Sequence, residues 1–365
     1  MKKLLSILFL LCLLVLPIPR AQAAMIGEKS EIEMGQEVAR QLEAQYGLYQ
    51  DDEVQDRVNR IGQNLVQNST RKNLAYTFKV LNTQEVNALA CPGGFIYVYK
   101  GLLDYMTSDD ELAAVIGHEI GHIEKRHTVH QIEKQTTLSI LTLLAGIASG
   151  EPGAAIALAG TASDALMAGY SRADEREADM EGYRLAKLCG YNPYGSYVTM
   201  AKLDDMAKEM GNPGYGLFSS HPEPEVRMAK ALKWLEPLHI TPVVVTEKDG
   251  SAIVKDGSWS YKLTETAGFD KPAYRAYLMA GALYLAKTRA PLDESHFLTV
   301  DGDNWSDIYY EDIRVLRVFP QDNQKTGNPS ELALEIADKL QQWAVAVKKS
   351  QAAGSQSQAE KGKQP

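Results

Sequence analysis

The chain has 365 residues, of which 45% are hydrophobic and 23% are charged, and its formal net charge at pH 7 is −9. This length allows more than one domain, and the composition is typical of a globular protein. The acidic balance excludes a nucleic-acid-binding protein and binding to anionic lipid by bulk electrostatic attraction.

The first 23 residues have the pattern of a secretory signal peptide. Lys2 and Lys3 precede an apolar run, Leu4–Leu16, and the small-residue pattern at residues 21–23 is typical of a cleavage site. The run is too short to cross a bilayer, which needs about 20 apolar residues. We therefore expect export and cleavage after residue 23. Cleavage removes three positive charges and takes the net charge from −9 to −12.

Helices and a small sheet are predicted for the next hundred residues. Apolar residues at 3–4 spacing predict helix over residues 28–68. Alternating residues predict strands at 75–82 and in the segment GGFIYVYKGLL, which begins at Gly93. Ser108, followed by three acidic residues, predicts the N-terminus of the next helix.

Residues 137–169 contain two apolar stretches separated by Glu151, Pro152 and Gly153. A membrane hairpin is one interpretation, and two buried or lid-like helices are the other. Each stretch is short for a membrane span, and the second is rich in alanine and glycine. We favour the helices and leave peripheral membrane contact through residues 137–169 as an open alternative.

Helix is predicted over residues 171–210, with a break at Gly190 and Pro193. The sequence pattern changes after this helical segment. From residue 239, two Asp-Gly turns between alternating apolar residues predict a hairpin-rich α+β module, with helices near 272–288 and from Pro329 to Lys349. No repeat of 20–50 residues is present. Residues 350–365 lack branched and aromatic side chains, so we expect a disordered tail.

The segment AVIGHEIGHIEKRH carries the strongest chemical signal. His118 and His122 are four residues apart, so both imidazoles lie on one face of a helix and can bind one metal ion. A hydrolytic zinc site takes three protein ligands and leaves one position for water. Glu119, beside the first histidine, is suited to take a proton from that water. His127 and His130 point away on a continuous helix, so we expect solvent or capping roles for them.

The third ligand has to come from another segment. In YSRADEREADMEGYRLA, Glu175 and Asp179 share one helix face. A helix antiparallel to the first would complete a site of two histidines and one glutamate, with Asp179 accepting a hydrogen bond from a ligand histidine. The alternative is an exposed helix in which arginines and acids form i,i+4 pairs.

Three segments, NALACPGGFIYVYKGLL, GHEIGH and SRADEREAD, resemble the zinc metallopeptidases of peptidase family M48 in its secreted bacterial branch. The branch includes periplasmic proteases that act on outer-membrane proteins. The resemblance covers roughly residues 30–235. It implies one Zn²⁺ per chain, and it assigns the site residues one by one: ligands His118, His122 and Glu175, base Glu119, and supporting carboxylate Asp179.

Two further segments match the family. Asn87, Gly93, Gly94 and Phe95 resemble the family's edge strand above the site, which can pair with an extended peptide, and a simple core strand is the alternative. The segment FSSHPEPEVRMAKA supplies His221 and Arg227. His221 is either a removable fourth zinc ligand or a donor to the oxyanion, and both alternatives stay open. His221, Arg227 or a nearby tyrosine is expected to steady the oxyanion.

These observations predict an α+β fold. Residues 24–238 form a mainly helical zincin-type metalloprotease domain with a small sheet, and residues 239–349 form a smaller α+β module. The expected function is a periplasmic endopeptidase that cleaves unfolded or misassembled envelope proteins and has the outer-membrane assembly machinery as a candidate partner. The alternative is a chaperone or assembly factor whose protease site is closed by His221. Cys91 and Cys189 are equally compatible with a disulfide and with free thiols.

Overall fold

The computed structural model describes residues 26–134, 138–151, 153–211, 221, 224–289 and 291–361. The predicted signal peptide, residues 1–23, lies outside the described residues. The fold is α+β and mainly helical, as predicted, with three small three-stranded sheets among the described residues.

Helices dominate the chain up to residue 235. In chain order they are α1 (Glu28–Tyr46), α2 (Asp52–Val66), α3 (Lys100–Tyr105), α4 (Asp109–Glu124), α5 (His127–Lys134), α6 (Leu138–Ser149), α7 (Ala154–Ala168), α8 (Arg172–Leu188), α9 (Gly195–Glu209) and α10 (Pro224–Leu235). The helix predicted over residues 28–68 is thus two helices. Gly47 separates them, with a φ of 69° that a residue with a side chain adopts at a cost.

The first sheet consists of β1 (Thr77–Leu81), β2 (Ala88–Cys91) and β3 (Phe95–Tyr99). Its strand order is β1-β3-β2, with β3 parallel to β1 and antiparallel to β2. The strand β2 is therefore at an edge, and it packs against α4.

Helix α4 is the centre of this region, and every residue from Glu111 to Glu124 is buried. Helix α8 packs along it at very close range. A Cβ on Gly117 would lie 3.0 Å from Gly182 Cα, and a Cβ on Gly121 would lie 2.9 Å from Ala178 Cα. The two helices are antiparallel, because the contact moves backwards along α8 as it moves forwards along α4. Glycine is required where the two backbones approach this closely.

The described residues of the apolar segment 137–169 form the helices α6 and α7, and Gly150 follows the first of them. Among the described residues, no helix is both long enough and apolar enough to span a membrane. Helix α7 packs on α1 through Leu158, Ala162 and Ala165, whereas Ile156 and Met167 are exposed. This matches the prediction of two short packed helices.

The C-terminal region has its own hydrophobic core, centred on Trp343, Tyr310 and Leu283. The elements are β4 (Val243–Thr246), β5 (Ala252–Asp256), β6 (Trp259–Leu263), α11 (Pro272–Thr288), β7 (Phe297–Asp301), β8 (Ser306–Tyr310), β9 (Ile313–Val318) and α12 (Pro329–Lys361). Both sheets are antiparallel meanders, and the two predicted Asp-Gly turns join β4 to β5 and β5 to β6. The division into domains at residue 239 stays a prediction. The separate hydrophobic core of the C-terminal region is compatible with it.

Two differences from the sequence predictions concern the C-terminal region. Strand β8 was not predicted, because its sequence SDIYY places polar residues at two buried positions. Helix α12 continues beyond Lys349 to Lys361, into the segment expected to be disordered. Alanine, glutamine, lysine and glutamate are good helix formers, so this segment extends a helix that is already nucleated.

A buried ion-pair cluster joins the two regions. Lys202, on α9, is fully buried, and its Nζ lies 2.8 Å from Glu111 Oε1 and 2.6 Å from Asp270 Oδ1. Glu111 belongs to the first turn of α4, and Asp270 precedes α11. The C-terminal region is therefore anchored to the helix that carries His118 and His122.

Candidate metal centre

Local capping places the two helices of the site. Ser108 and Glu111 form a capping box at the start of α4, and Ser171 and Asp174 form one at the start of α8. Because α8 begins at Arg172, Glu175 lies in its first turn, where the helix dipole stabilises a carboxylate.

Four buried side chains converge between these helices. Their metal-binding atoms all lie within 4.8 Å of one another, and the residues are His118, His122, Glu175 and His221. Three histidines and one carboxylate form a donor set that suits zinc.

The spacing of the donor atoms supports this fit. His118 Nε2 lies 3.0 Å from His122 Nε2 and 3.2 Å from His221 Nδ1. Glu175 lies 3.4 Å from His122 Nε2 and 3.6 Å from His118 Nε2 through its two oxygens. Tetrahedral zinc with bonds of about 2.0–2.1 Å places its ligand atoms roughly 3.3 Å apart. The observed distances lie on both sides of that value.

Glu119 faces the same space but is not one of the four. It is 1% exposed, and its Oε1 lies 3.6 Å from His221 Nε2. Its Oε2 has no hydrogen-bond partner among the described residues. Burial raises the pKa of Glu119, and the nearby His221 and His118 partly offset that rise. A buried carboxylate with a free oxygen beside the donor set is suited to accept a proton.

Asp179 and Arg227 support the donor set. Asp179 Oδ1 accepts a hydrogen bond of 2.9 Å from His118 Nδ1. The Arg227 guanidinium donates to both oxygens of Asp179, at 2.6 and 2.8 Å, and its Nη1 forms an ion pair with Glu175 Oε2 at 2.9 Å. Burial alone would raise the pKa of Asp179, but Arg227 and His118 hold it well below the usual range. All three guanidinium nitrogens of Arg227 contact these carboxylates, and its role as an oxyanion donor stays a prediction.

The charges of Glu175 and His221 depend on each other. Burial would raise the pKa of Glu175, but His221 and Arg227 outweigh it and hold the pKa well below its usual range. Burial would lower the pKa of His221, and Glu175 raises it above the usual value. The lowered pKa of His122, which burial causes, keeps that imidazole neutral as a metal ligand requires.

Two residues near the site were not identified from the sequence. Tyr170 stacks on His122 with ring centroids 3.8 Å apart, and its hydroxyl lies 2.8 Å from Thr128 Oγ1. The predicted solvent or capping role of His127 is wrong, because His127 is buried and its Nδ1 lies 2.8 Å from His122 Nδ1. Helix α4 ends before this residue, so the angle computed for a continuous helix does not apply. His130 is exposed.

The edge-strand prediction is partly corrected. The edge strand is Ala88–Cys91, with Asn87 immediately before it. Gly93 and Gly94 have φ values of 79° and 108° and form the turn into β3. Phe95 belongs to the central strand, where it pairs with Thr77 on one side and with Cys91 on the other. It therefore has no free edge for a peptide. The sequence does not reveal strand order, because alternation is the same in central and edge strands.

Cys91 and Cys189 are both free thiols. Cys91 is buried in β2, and burial raises its pKa. Cys189 is half-buried at the end of α8, where Asn68 donates to its sulfur. A disulfide between them is not formed.

The fold and the site together define a zinc metallopeptidase: two histidines one turn apart on a buried helix, and a glutamate from an antiparallel helix. The sequence model of peptidase family M48 matches residues 52–235. The chain belongs to this family, whose members use zinc.

Named relatives agree with this membership. The chain is 31% identical over 210 residues to the beta-barrel assembly-enhancing protease of Escherichia coli K12, and the matched region covers 55% of this chain and 43% of the relative. It is 34% identical over 152 residues to metalloprotease YcaL of the same organism, and that matched region covers 40% of this chain and 56% of the relative. A putative beta-barrel assembly-enhancing protease of Vibrio cholerae is 29% identical over 227 residues. The chain thus spans about half the length of the curated relatives it matches.

Proposed function

We propose that this protein is a zinc-dependent endopeptidase of the bacterial cell envelope that cleaves unfolded or misassembled proteins. The convergence of His118, His122 and Glu175 carries the proposal, together with the adjacent Glu119, whose Oε2 has no hydrogen-bond partner among the described residues. When bound, zinc would supply a Lewis acid that polarises a carbonyl and lowers the pKa of water to ~7.

The protein's own groups would do the remaining work. Asp179 holds the Nε2 of His118 towards the metal by accepting a hydrogen bond from Nδ1. Glu119 takes a proton from the attacking water and delivers it to the leaving amine. Its raised pKa favours both steps, because the ideal pKa of an acid–base catalyst lies near the working pH.

The free edge of β2 would bind the substrate. An extended peptide can add to an exposed sheet edge through main-chain hydrogen bonds. Among the described residues, no strand pairs with β2 on the side away from β3. All four residues of β2 are buried, so a peptide has to displace what covers this edge before it pairs there. A folded protein offers no such free strand, so this mode favours unfolded or misassembled chains.

A latent site is the second candidate, and the position of His221 favours it. Its Nδ1 lies 3.0 Å from Glu175 Oε1 and 3.2 Å from His118 Nε2, which supports the role of a fourth ligand over that of an oxyanion donor. A fourth protein ligand would leave no position for water. The protein would then act as a chaperone or assembly factor, or as a protease that a partner activates.

The cellular setting is inferred from the N-terminal sequence pattern and from the named relatives. The N-terminal pattern predicts export, and relatives named beta-barrel assembly-enhancing protease favour the periplasm and a link to outer-membrane assembly. The exposed Ile156 and Met167 on α7 offer apolar side chains for peripheral membrane contact.

Degradation of casein, an unfolded substrate, tests the proposal. We expect cleavage by the zinc-loaded protein and none by Glu119→Gln, with equal zinc in both. Equal cleavage by both would contradict the role of Glu119. If neither cleaves, the second candidate is favoured, and His221→Ala distinguishes its two forms: opening a latent protease site restores cleavage, whereas a chaperone stays inactive.

A further inference from the structure

The turn between α4 and α5 brings His127 back onto the site. Arg126 adopts a left-handed conformation with a φ of 55°, so α4 stops and α5 starts in a new direction. Glu31, which is 1% exposed, accepts a hydrogen bond of 2.9 Å from Arg126 Nε and one of 2.7 Å from Arg71 Nη1. Arg71 also donates to the carbonyl oxygen of Ile123, in the last turn of α4. The turn is therefore held by the buried Glu31 carboxylate and two half-buried arginines.

This turn places His127 against the outer nitrogen of His122. The two Nδ1 atoms are 2.8 Å apart, and the rings are 4.9 Å apart at 73°. The Nε2 of His127 has no hydrogen-bond partner among the described residues, and the nearest carboxylates are Glu177 at 3.5 Å and Asp174 at 3.8 Å. Both acids lie on α8, the helix that also supplies Glu175.

The hydrogen positions follow from this geometry. A metal bound at Nε2 of His122 leaves Nδ1 as the N–H of a neutral ring. Two nitrogens 2.8 Å apart cannot both carry a hydrogen, so Nδ1 of His127 has to accept. The neutral His127 then carries its own hydrogen on Nε2, which faces the carboxylates of α8.

We infer that His127 is a positioning residue that fixes the tautomer and orientation of His122 for the metal. It does for His122 what Asp179 does for His118, with a neutral acceptor in place of a carboxylate. This arrangement adds no further negative charge to a site that already contains three buried carboxylates, Glu119, Glu175 and Asp179. The inference rests on the proposed metal site and adds a residue to it.

Zinc affinity, measured by competition with a chelator, tests the inference. Leucine and asparagine have similar shapes, but only asparagine places an acceptor oxygen near the position of Nδ1. We expect His127→Leu to weaken zinc binding about ten- to a hundredfold, as loss of a supporting partner does elsewhere. His127→Asn should retain most of the affinity. His130→Asn, an exposed histidine on the same helix, is the control and should bind zinc as the wild type does.

The outcomes separate the inference from the proposed function. Unchanged affinity in His127→Leu, or equal weakening by both substitutions at residue 127, would overturn the inference alone. A wild-type protein that binds no zinc would overturn the metal site as well. Nitrogen-15 NMR of the histidines in the zinc-loaded wild type needs no variant. It should show His127 protonated at Nε2, and protonation at Nδ1 would refute the inference.

Discussion

The buried lysine between the two regions gives a sharp test of how they are joined. Lys202→Met preserves most of the side-chain volume and removes the charge. Glu111 is fully buried and Asp270 is 8% exposed, so both carboxylates would lose their cation in a site largely shielded from water. Breaking a buried ion pair by removing one partner costs about 3–5 kcal/mol. That is a large part of a typical stability of roughly 5–15 kcal/mol.

Urea unfolding of the metal-free protein measures this cost without a contribution from zinc binding. We expect the triple variant Lys202→Met, Glu111→Gln, Asp270→Asn to recover much of the loss, because neutral groups of similar shape leave no buried charge. Lys208→Met is the control. Lys208 lies on the same helix with its side chain 63% exposed, and it also pairs with an aspartate, so its loss should leave the urea midpoint unchanged. A cost below about 1 kcal/mol for Lys202→Met would refute the reasoning.

Three further predictions follow from local structure. Gly121→Ala places a methyl group 2.9 Å from the backbone of Ala178. We therefore expect the free energy of unfolding, measured in urea, to fall by about 1–3 kcal/mol. A more stable variant would contradict the close helix contact. Iodoacetamide should alkylate Cys189 in the folded protein and spare Cys91, because Cys91 is buried and burial raises its pKa. Mass spectrometry measures the labelling, and equal labelling of the two cysteines would contradict the prediction. Burial raises the pKa of Asp110 to about 6. Ionisation of Asp110 therefore destabilises the folded wild type as pH rises from about 4 to 6. Over that range, the free energy of unfolding of Asp110→Asn should increase relative to that of the wild type by up to about 3 kcal/mol. An equal difference at pH 4 and pH 7 would contradict this.

The sequence was most informative where one local rule decides the structure. The two Asp-Gly turns predicted the first C-terminal meander, because each aspartate–glycine pair favours a tight hairpin. Helix α11 was predicted at Pro272–Thr288, as observed, since proline favours the first turn. The pair His118 and His122 followed from helical periodicity alone.

Non-local geometry was not accessible in the same way. The left-handed Arg126 has no sequence signal, because it is held by Glu31, which is 95 residues away. His127 was therefore placed on the wrong side of a helix that does not continue. The order of the strands and the buried ion-pair cluster around Lys202 likewise depend on contacts between distant segments.

Zinc content, measured together with casein cleavage, tests the central claim most directly. The comparison is between the wild type, Glu175→Gln and Glu225→Gln, an exposed glutamate on α10. We predict one zinc per chain in the wild type and in Glu225→Gln, and loss of both zinc and any cleavage in Glu175→Gln. A Glu175→Gln protein that keeps its zinc and its wild-type behaviour would contradict the assignment of this site.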